Sequence, residues 1–344
     1  MVTPQDLFGD SLVTILEMKA MDFDNGLVVA YVLDGNGRGN ELDWAGVKTW
    51  KDATGFLWVH LDLNHANAQR WLKDESHVDE VVAEALLAED TRPRTSLMKD
   101  GLLVMLRGVN MNPGADPEDM VAIRLWIEEN RVISTRKRRL LSIDDIRRSI
   151  ADHHGPDTPG QLLVMLSDRL VARMSTVIDD VDEEMDRLEN EVLEYENPNL
   201  RHELAKLRAQ VIALRRYLSP QREAVARLSQ DKIPWLSDTD RIRMREISDR
   251  IIRYVEDLDS VRDRAAVVQE ELAGRLAEQM NNRMYMLSLV AAVFLPLGFL
   301  TGLLGVNVGG IPGSDNPFGF EWVMVLIAVL VAFQVWVFKR RRWF

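Results

Sequence analysis

Residues 285–304 read YMLSLVAAVFLPLGFLTGLL, a run of twenty residues that contains no charge. Residues 322–338 read WVMVLIAVLVAFQVWVF, which is also free of charge and carries one strongly polar residue, Gln334. A helix of about 20 residues that rises 1.5 Å per residue spans roughly the 30 Å of a bilayer's hydrocarbon core. The two runs therefore predict a pair of membrane-spanning helices joined by a short loop.

The basic residues predict how this hairpin is oriented. Arg275 and Arg283 precede the first span and residues 339–342 read KRRR, whereas the loop at 305–321 has no Lys or Arg. Loops rich in Lys and Arg stay in the cytoplasm, so both termini are predicted to be cytoplasmic. No signal peptide is expected, because residues 1–10 lack a basic stretch followed by an apolar one. We expect a multi-pass protein of the cytoplasmic (inner) membrane.

One face of the first span carries mostly small and polar residues. They recur at steps of three and four, which is the spacing of one helical face. From the cytoplasmic side, the members are Asn281, Met284, Ser288, Ala291, Leu295, Gly298 and Gly302. Two interpretations are open: such a stripe lets helices pack closely, and it can line a narrow pore when several subunits surround an axis. A hairpin that only anchors the protein is a further alternative.

A long helical pattern leads into the first span. Apolar residues alternate at steps of three and four from Met244 to Leu272, a heptad seam typical of helices packed side by side. Ser237 and Asp240 have the spacing of a capping box. One helix is predicted from about Ser237 to Leu304, on the order of 100 Å long. Such a rod indicates a symmetric bundle and hence a homo-oligomer. Helices of the same chain are also available as partners, so both kinds of contact are expected.

The N-terminal part of the chain is predicted to be an α/β domain followed by long helices. Strands are expected at 11–17, 26–33, 56–62, 102–109, 121–127 and 131–135, and helices at 76–88 and 143–151. The segment 154–160 is a predicted linker, rich in Pro and Gly. Helices are then expected at 161–196 and from Leu200 to about Gln230, with Pro220 as a candidate break.

Composition excludes several classes of partner and site. The net charge of −12 argues against nucleic-acid binding, which needs basic surface. The lack of cysteine excludes disulfides and thiolate metal sites. The acidic run at 179–196 fits either a solvated helix face or a collector of cations.

No enzyme activity and no cofactor are expected. His202 and Glu203 begin like a zinc-protease motif, but Lys206 stands where the second His is required.

The loop after the first span opens with Gly305-Val306-Asn307. Glycine lets the backbone leave the helix tightly, and the Asn307 amide oxygen can face a hydrated cation, since hard divalent ions give up water reluctantly. Gly and Asn are also the preferred residues of helix C-caps. Taken alone, this stretch fits both a cap and a cation entrance.

Taken together, these features resemble the CorA family of metal-ion transporters. The resemblance covers essentially the whole chain: the α/β domain, the long helix that becomes the first span, Gly-x-Asn at its outer end and the basic tail. The magnesium-transporting branch has Gly-Met-Asn and then an acidic loop motif with Met-Pro-Glu, whereas here Val306 replaces the Met and residues 309–313 read GGIPG. In this the chain is similar to the ZntB-type zinc transporters.

The resemblance implies a funnel-shaped homopentamer in the lipid bilayer, with the first span around the pore and the second facing lipid. Gly305, Val306 and Asn307 are then expected at the outer entrance, and Leu287 joins Ser288 on the pore-lining face. The implied division is a cytoplasmic α/β domain at 1–155, a helical hairpin at 156–236, a stalk helix at 237–284, the first span at 285–304, the external loop at 305–321, the second span at 322–338 and a basic cytoplasmic tail at 339–344.

The expected cargo is a divalent metal cation, Zn²⁺ before Mg²⁺, and the resemblance also implies proton-coupled import. A magnesium or cobalt channel of the same fold is one alternative, and a non-conducting membrane-anchored scaffold is another. Asp315 and Glu321 are expected to attract cations at the outer mouth. No fixed metal-ligand set is assigned, because all six His precede the spans.

Overall fold

The computed structural model describes residues 26–51, 55–89, 91–194, 199–231, 233–306 and 316–340, with the side chains of 193 and 194 excepted. Contacts divide the chain into two compact units, with the boundary between Val268 and Gln269. The strand predicted at 11–17 lies outside the described residues.

The secondary structure runs as follows in chain order. Strands β1 (Leu27–Leu33) and β2 (Gly39–Glu41) precede helix α1 (Trp44–Thr49), strand β3 (Phe56–Asp62) and helix α2 (Ala66–Arg70), which continues into a π-helical turn at Trp71–Glu75. Next come α3 (Glu80–Leu87), β4 (Arg94–Leu97), β5 (Leu102–Gly108), β6 (Val121–Ile127) and β7 (Arg131–Arg136). The remaining helices are α4 (Leu141–Ala151), α5 (Pro159–Glu194), α6 (Leu200–Gln230), α7 (Asp238–Leu304) and α8 (Gly319–Arg340).

The described strands of the first unit form one mixed sheet in the order β2-β1-β3-β7-β6-β5-β4. Its pairs are antiparallel except β3 and β7, which are parallel, with Trp58 opposite Val132. Every residue of β5 is buried, so this strand is covered on both faces. The predicted α/β class, the strand at 56–62 and the hairpin of β6 and β7 are confirmed.

One predicted helix start is wrong, and a possible break at Pro220 does not occur. The helix predicted from residue 76 begins at Glu80, because His77 has a left-handed φ of 57° and the Asp79 side chain accepts the Val81 N–H at 2.9 Å as an N-cap. Pro220 does not break α6. Leu218 and Gln221 are both buried there, so packing on each side of the proline holds the helix together.

Helix α7 begins at the predicted capping box. The Ser237 hydroxyl donates to the Asp240 carboxylate at 2.7 Å and accepts from the Asp240 N–H at 3.1 Å. The heptad seam is buried within the single chain from Met244 to Val268. Ion pairs of Arg250 with Asp168 on α5 and of Arg215 on α6 with Asp259 on α7 accompany it. This stretch therefore packs against helices of its own chain, which is one of the two contacts that the sequence predicts.

The buried His60 on β3 makes the stability of the first unit depend on pH. Its Nδ1 lies 2.8 Å from the Ser134 hydroxyl, and burial, aided by Arg136 and Arg147, holds the His60 pKa well below its usual value. Between that lowered pKa and about 6.5, the unfolded chain binds a proton that the folded chain does not, so stability is full above about 6.5 and falls as the pH drops.

His60→Asn is expected to remove a slope of at most ~1.4 kcal/mol per pH unit from the free energy of unfolding. Urea unfolding in detergent, followed by tryptophan fluorescence between pH 5 and 8, measures it. His77→Asn is the control, because His77 is exposed and Asn tolerates its left-handed backbone. A His60→Asn slope equal to that of the control would contradict the assignment.

Candidate functional site

The described part of the second unit contains the apolar end of α7 and the helix α8. Both are long and apolar enough to cross a membrane, judged by length and composition. They correspond to the two predicted spans at 285–304 and 322–338.

One face of the α7 span packs against α8. Its residues are half-buried and recur at steps of three and four: Leu289, Val293, Leu297 and Leu300. On α8, Gln334 and Phe338 are buried, and the Gln334 side-chain amide donates to the Ala292 carbonyl oxygen at 3.3 Å. The two spans are therefore in contact along this face.

The stripe of small and polar residues lies on the other side of the α7 span. At 100° per residue, its centre is about 160° around the helix from the face that packs on α8. Met284, Leu287 and Leu295 are 59%, 64% and 71% exposed. Apart from the backbone of α7 itself, a Cβ added at Gly298 or Gly302 would meet no atom of the described residues within 4 Å.

Asn281 and Ser288 are also exposed, and Ala291 is half-buried. The second span of the same chain therefore leaves most of the stripe uncovered. Packing against the part of the chain that the structure describes does not account for these small residues, and contact between copies or a pore are the two interpretations that would.

Helix α7 ends at Leu304, just before the predicted entrance loop. The Gly305 N–H makes one more ordinary helical bond, to the Thr301 carbonyl oxygen at 2.9 Å, and Gly305 and Val306 are exposed. Asn307 and Asp315 lie outside the described residues. Glu321 is exposed in the first turn of α8, where the helix dipole favours a negative charge. Glu321 thus has a local structural reason for its position in addition to the expected attraction of cations.

Much of the acidic run on α5 is engaged in ion pairs. Arg264 of α7 lies 2.7 Å from Asp182 and 2.7 Å from Glu189, and it also contacts Asp186. The described residues contain no group of three or more His, Asp or Glu arranged to hold a metal. These carboxylates hold α5 and α7 together, which is a structural role that the sequence pattern did not reveal.

A second arginine links the acidic run to α6. Arg187 pairs with Glu184 at 2.5 Å, with Glu203 at 2.8 Å and with Glu191. Glu203 thereby has a structural partner, in line with the rejection of a protease motif at His202 and Glu203.

The sequence interpretation missed one polar contact between the spans. Pro296 lies inside the first span and Gln334 inside the second, and the structure brings Gln334 to the backbone one turn before Pro296. The sequence contained an indication of this contact, since a single amide side chain in an apolar membrane span needs a hydrogen-bond partner.

Comparison with known proteins gives concordant matches. The family described as "CorA-like Mg2+ transporter protein" matches residues 53–340. "Zinc transport protein ZntB" of Pectobacterium carotovorum subsp. carotovorum is 42% identical over 93% of this chain and 96% of its own. "Divalent cation transporter CmaX" of Pseudomonas aeruginosa is 40% identical over 93% of this chain and 97% of its own. The solved structure of the full-length CmaX protein superposes with a TM-score of 0.81 at 39% identity, covering 93% of this chain and 98% of that one.

Proposed function

The chain belongs to the CorA-like family and is a divalent metal cation transporter, and from this premise we propose that the cation it moves is Zn²⁺. The observation that carries the proposal is its 42% identity, over 93% of the chain, to a protein named for zinc transport. Val306 and the sequence GGIPG at 309–313 differ from the motifs of the magnesium-transporting branch, and this difference also favours zinc. The expectation that the chain is not an enzyme agrees with this family of transporters.

The proposed assembly is a homopentamer in the inner membrane with both termini in the cytoplasm. The uncovered stripe of α7 supports a pore wall built from several copies, since α8 of the same chain packs on the opposite face. Asn307, with Gly305 and Val306, forms the proposed outer entrance, and Asp315 and Glu321 attract cations to it.

The proposed passage is that of a hydrated or partly hydrated ion. Neither span contains His or Cys, which are the preferred ligands of zinc, so oxygen atoms must guide the cation. Neither span contains an ionisable acid or base apart from Tyr285 at the edge, so any proton coupling must involve groups at the mouths or in the first unit.

Zinc uptake into proteoliposomes tests this proposal. Purified protein is reconstituted around a zinc-sensitive dye, and uptake is measured with and without excess Mg²⁺ and with and without an inward proton gradient. We expect zinc uptake above that of protein-free vesicles, weak competition by Mg²⁺ and faster uptake when the outside is acidic. Equal competition by Mg²⁺ would favour the magnesium or cobalt channel, and no flux under any gradient would favour the scaffold.

A further inference from the structure

Pro296 interrupts the backbone hydrogen-bond ladder of the first span. In an α-helix the N–H of residue i donates to the carbonyl of residue i−4, and proline has no N–H. The carbonyl of Ala292 therefore lacks the donor that position 296 would otherwise supply. In the hydrocarbon region no bulk water is available to replace that donor, so an unfilled carbonyl is costly there.

Helix α8 supplies a substitute donor. The Gln334 amide nitrogen lies 3.3 Å from the Ala292 carbonyl oxygen, and Gln334 is only 9% exposed. A carbonyl can only accept, so the amide nitrogen must be the atom that faces it. The other amide atom, Oε1, is buried without a hydrogen-bond partner among the described residues. The bond to Ala292 is thus what compensates for placing this amide in an apolar helix.

The segment around Pro296 carries further features that weaken a helix. Gly298 follows two residues later, and the Thr301 hydroxyl donates back to the carbonyls of Leu297 at 2.9 Å and Gly298 at 3.2 Å. Prolines, glycines and back-bonded hydroxyls are the usual causes of bends in helices. The same segment carries Leu295 and Gly298 of the uncovered stripe, so a change in its backbone would move that stripe.

We propose that Gln334 is a positioning residue that holds the Pro296 turn of α7 against α8. Through this bond it fixes the orientation of the face that carries Leu295 and Gly298. The expected effect of Gln334 on zinc flux rests on the proposed function, since it requires that this face of α7 line the pore. The expected effect of Gln334 on the contact between α7 and α8 is independent of the proposed function.

A double-mutant cycle tests the proposal. Gln334→Leu removes the donor at similar volume, and Pro296→Ala restores the N–H that fills the Ala292 carbonyl, which makes the donor from α8 redundant. Val335→Leu is the matched control, because Val335 neighbours Gln334 but is exposed. Unfolding in detergent and zinc uptake are measured for wild type, both single variants, the double variant and the control.

Gln334→Leu is expected to lower the folding equilibrium constant by about 3- to 15-fold, the range of hydrogen bonds between membrane helices. In the Pro296→Ala background the same change is expected to have less than about a 2-fold effect, because the carbonyl already has a partner. Uptake is expected to fall with Gln334→Leu and to stay low in the double variant, because the N–H restored at position 296 fills the Ala292 carbonyl without restoring a bond to α8.

An equal effect of Gln334→Leu in both backgrounds would overturn the proposal. Should Pro296→Ala fail to fold, hydrogen exchange of the backbone amides at 293–295, 297 and 298 decides instead. Faster exchange in Gln334→Leu than in Val335→Leu supports the proposal, and equal exchange overturns it. If the unfolding measurements show that the effect of Gln334→Leu depends on Pro296, but the wild type transports no zinc, the positioning role is supported and the proposed function is rejected.

Discussion

Gly298→Leu is expected to abolish zinc flux while leaving the fold of the chain intact. Apart from the backbone of its own helix, no atom of the described residues lies within 4 Å of a Cβ built at Gly298, so a larger side chain can start there without a clash. It points away from α8, into the space that the uncovered stripe faces. If several copies surround a pore there, each adds an isobutyl group to a narrow apolar constriction, and such constrictions exclude water and ions. Uptake is expected below roughly a tenth of the wild-type rate, as for a dewetted pore.

Zinc uptake in proteoliposomes measures this effect, and the oligomeric state is determined on the same preparation by light scattering. Ala332→Leu is the matched control, because it adds the same side chain to an exposed position on α8. Unchanged uptake in Gly298→Leu would show that the stripe does not line the pathway. Loss of assembly together with uptake would assign the stripe to packing between subunits, as the alternative interpretation holds.

Asn307→Ala is expected to lower zinc uptake by about 10-fold or more, since a hydrogen bond or dipole contact to a charged group contributes about 1.5–3 kcal/mol. The proposed role of Asn307 is to offer amide oxygens to a hydrated cation at the outer end of the first span. Removing them weakens the first capture of the ion, so the concentration for half-maximal uptake is expected to rise.

Val306→Met is the informative companion to Asn307→Ala. It changes the middle position of the same tripeptide to the residue of the magnesium branch, and it is expected to retain zinc uptake. Full uptake in Asn307→Ala would remove Asn307 from the entrance. Loss of uptake in both variants would instead indicate that the loop tolerates no change of side chain. Asn307→Asp, which keeps a side-chain oxygen at this position, then shows whether the oxygen or the packing of the loop is required for uptake.

The local sequence pattern was sufficient to predict the strands and helices that bury one regular face. Strand β3 and the hairpin of β6 and β7 have apolar runs bounded by turn residues, and α7 has an N-terminal capping box and a continuous seam. The pattern failed at the start of α3, where one left-handed residue, His77, decides the boundary. The short strands β2 and β4 and the helices α1 and α2 were missed, because segments of three to six residues carry too little periodicity.

Tertiary pairings were beyond the reach of the sequence. The acidic residues of α5 read equally well as a solvated face, and only the fold brings Arg264 to Asp182 and Glu189. Periodicity predicts the stripe on α7 as one helical face, but it does not say which partner covers that face. That α8 leaves the stripe uncovered follows from the exposure of Met284 and Leu295 and from the open space around Gly298 and Gly302 among the described residues.

The parallel pairing of β3 with β7 also bears on the order of events during synthesis. Its partners are far apart in sequence, Trp58 with Val132, so the pair closes a long loop and forms slowly compared with a hairpin. At about 5–20 residues per second, translation needs roughly 7–30 s to cover the roughly 150 residues from Arg136, the last residue of β7, to Tyr285 at the start of the first span. The pairing of β3 with β7 therefore has this time to form during translation. The sheet can close before the first apolar helix is synthesised and inserted into the membrane.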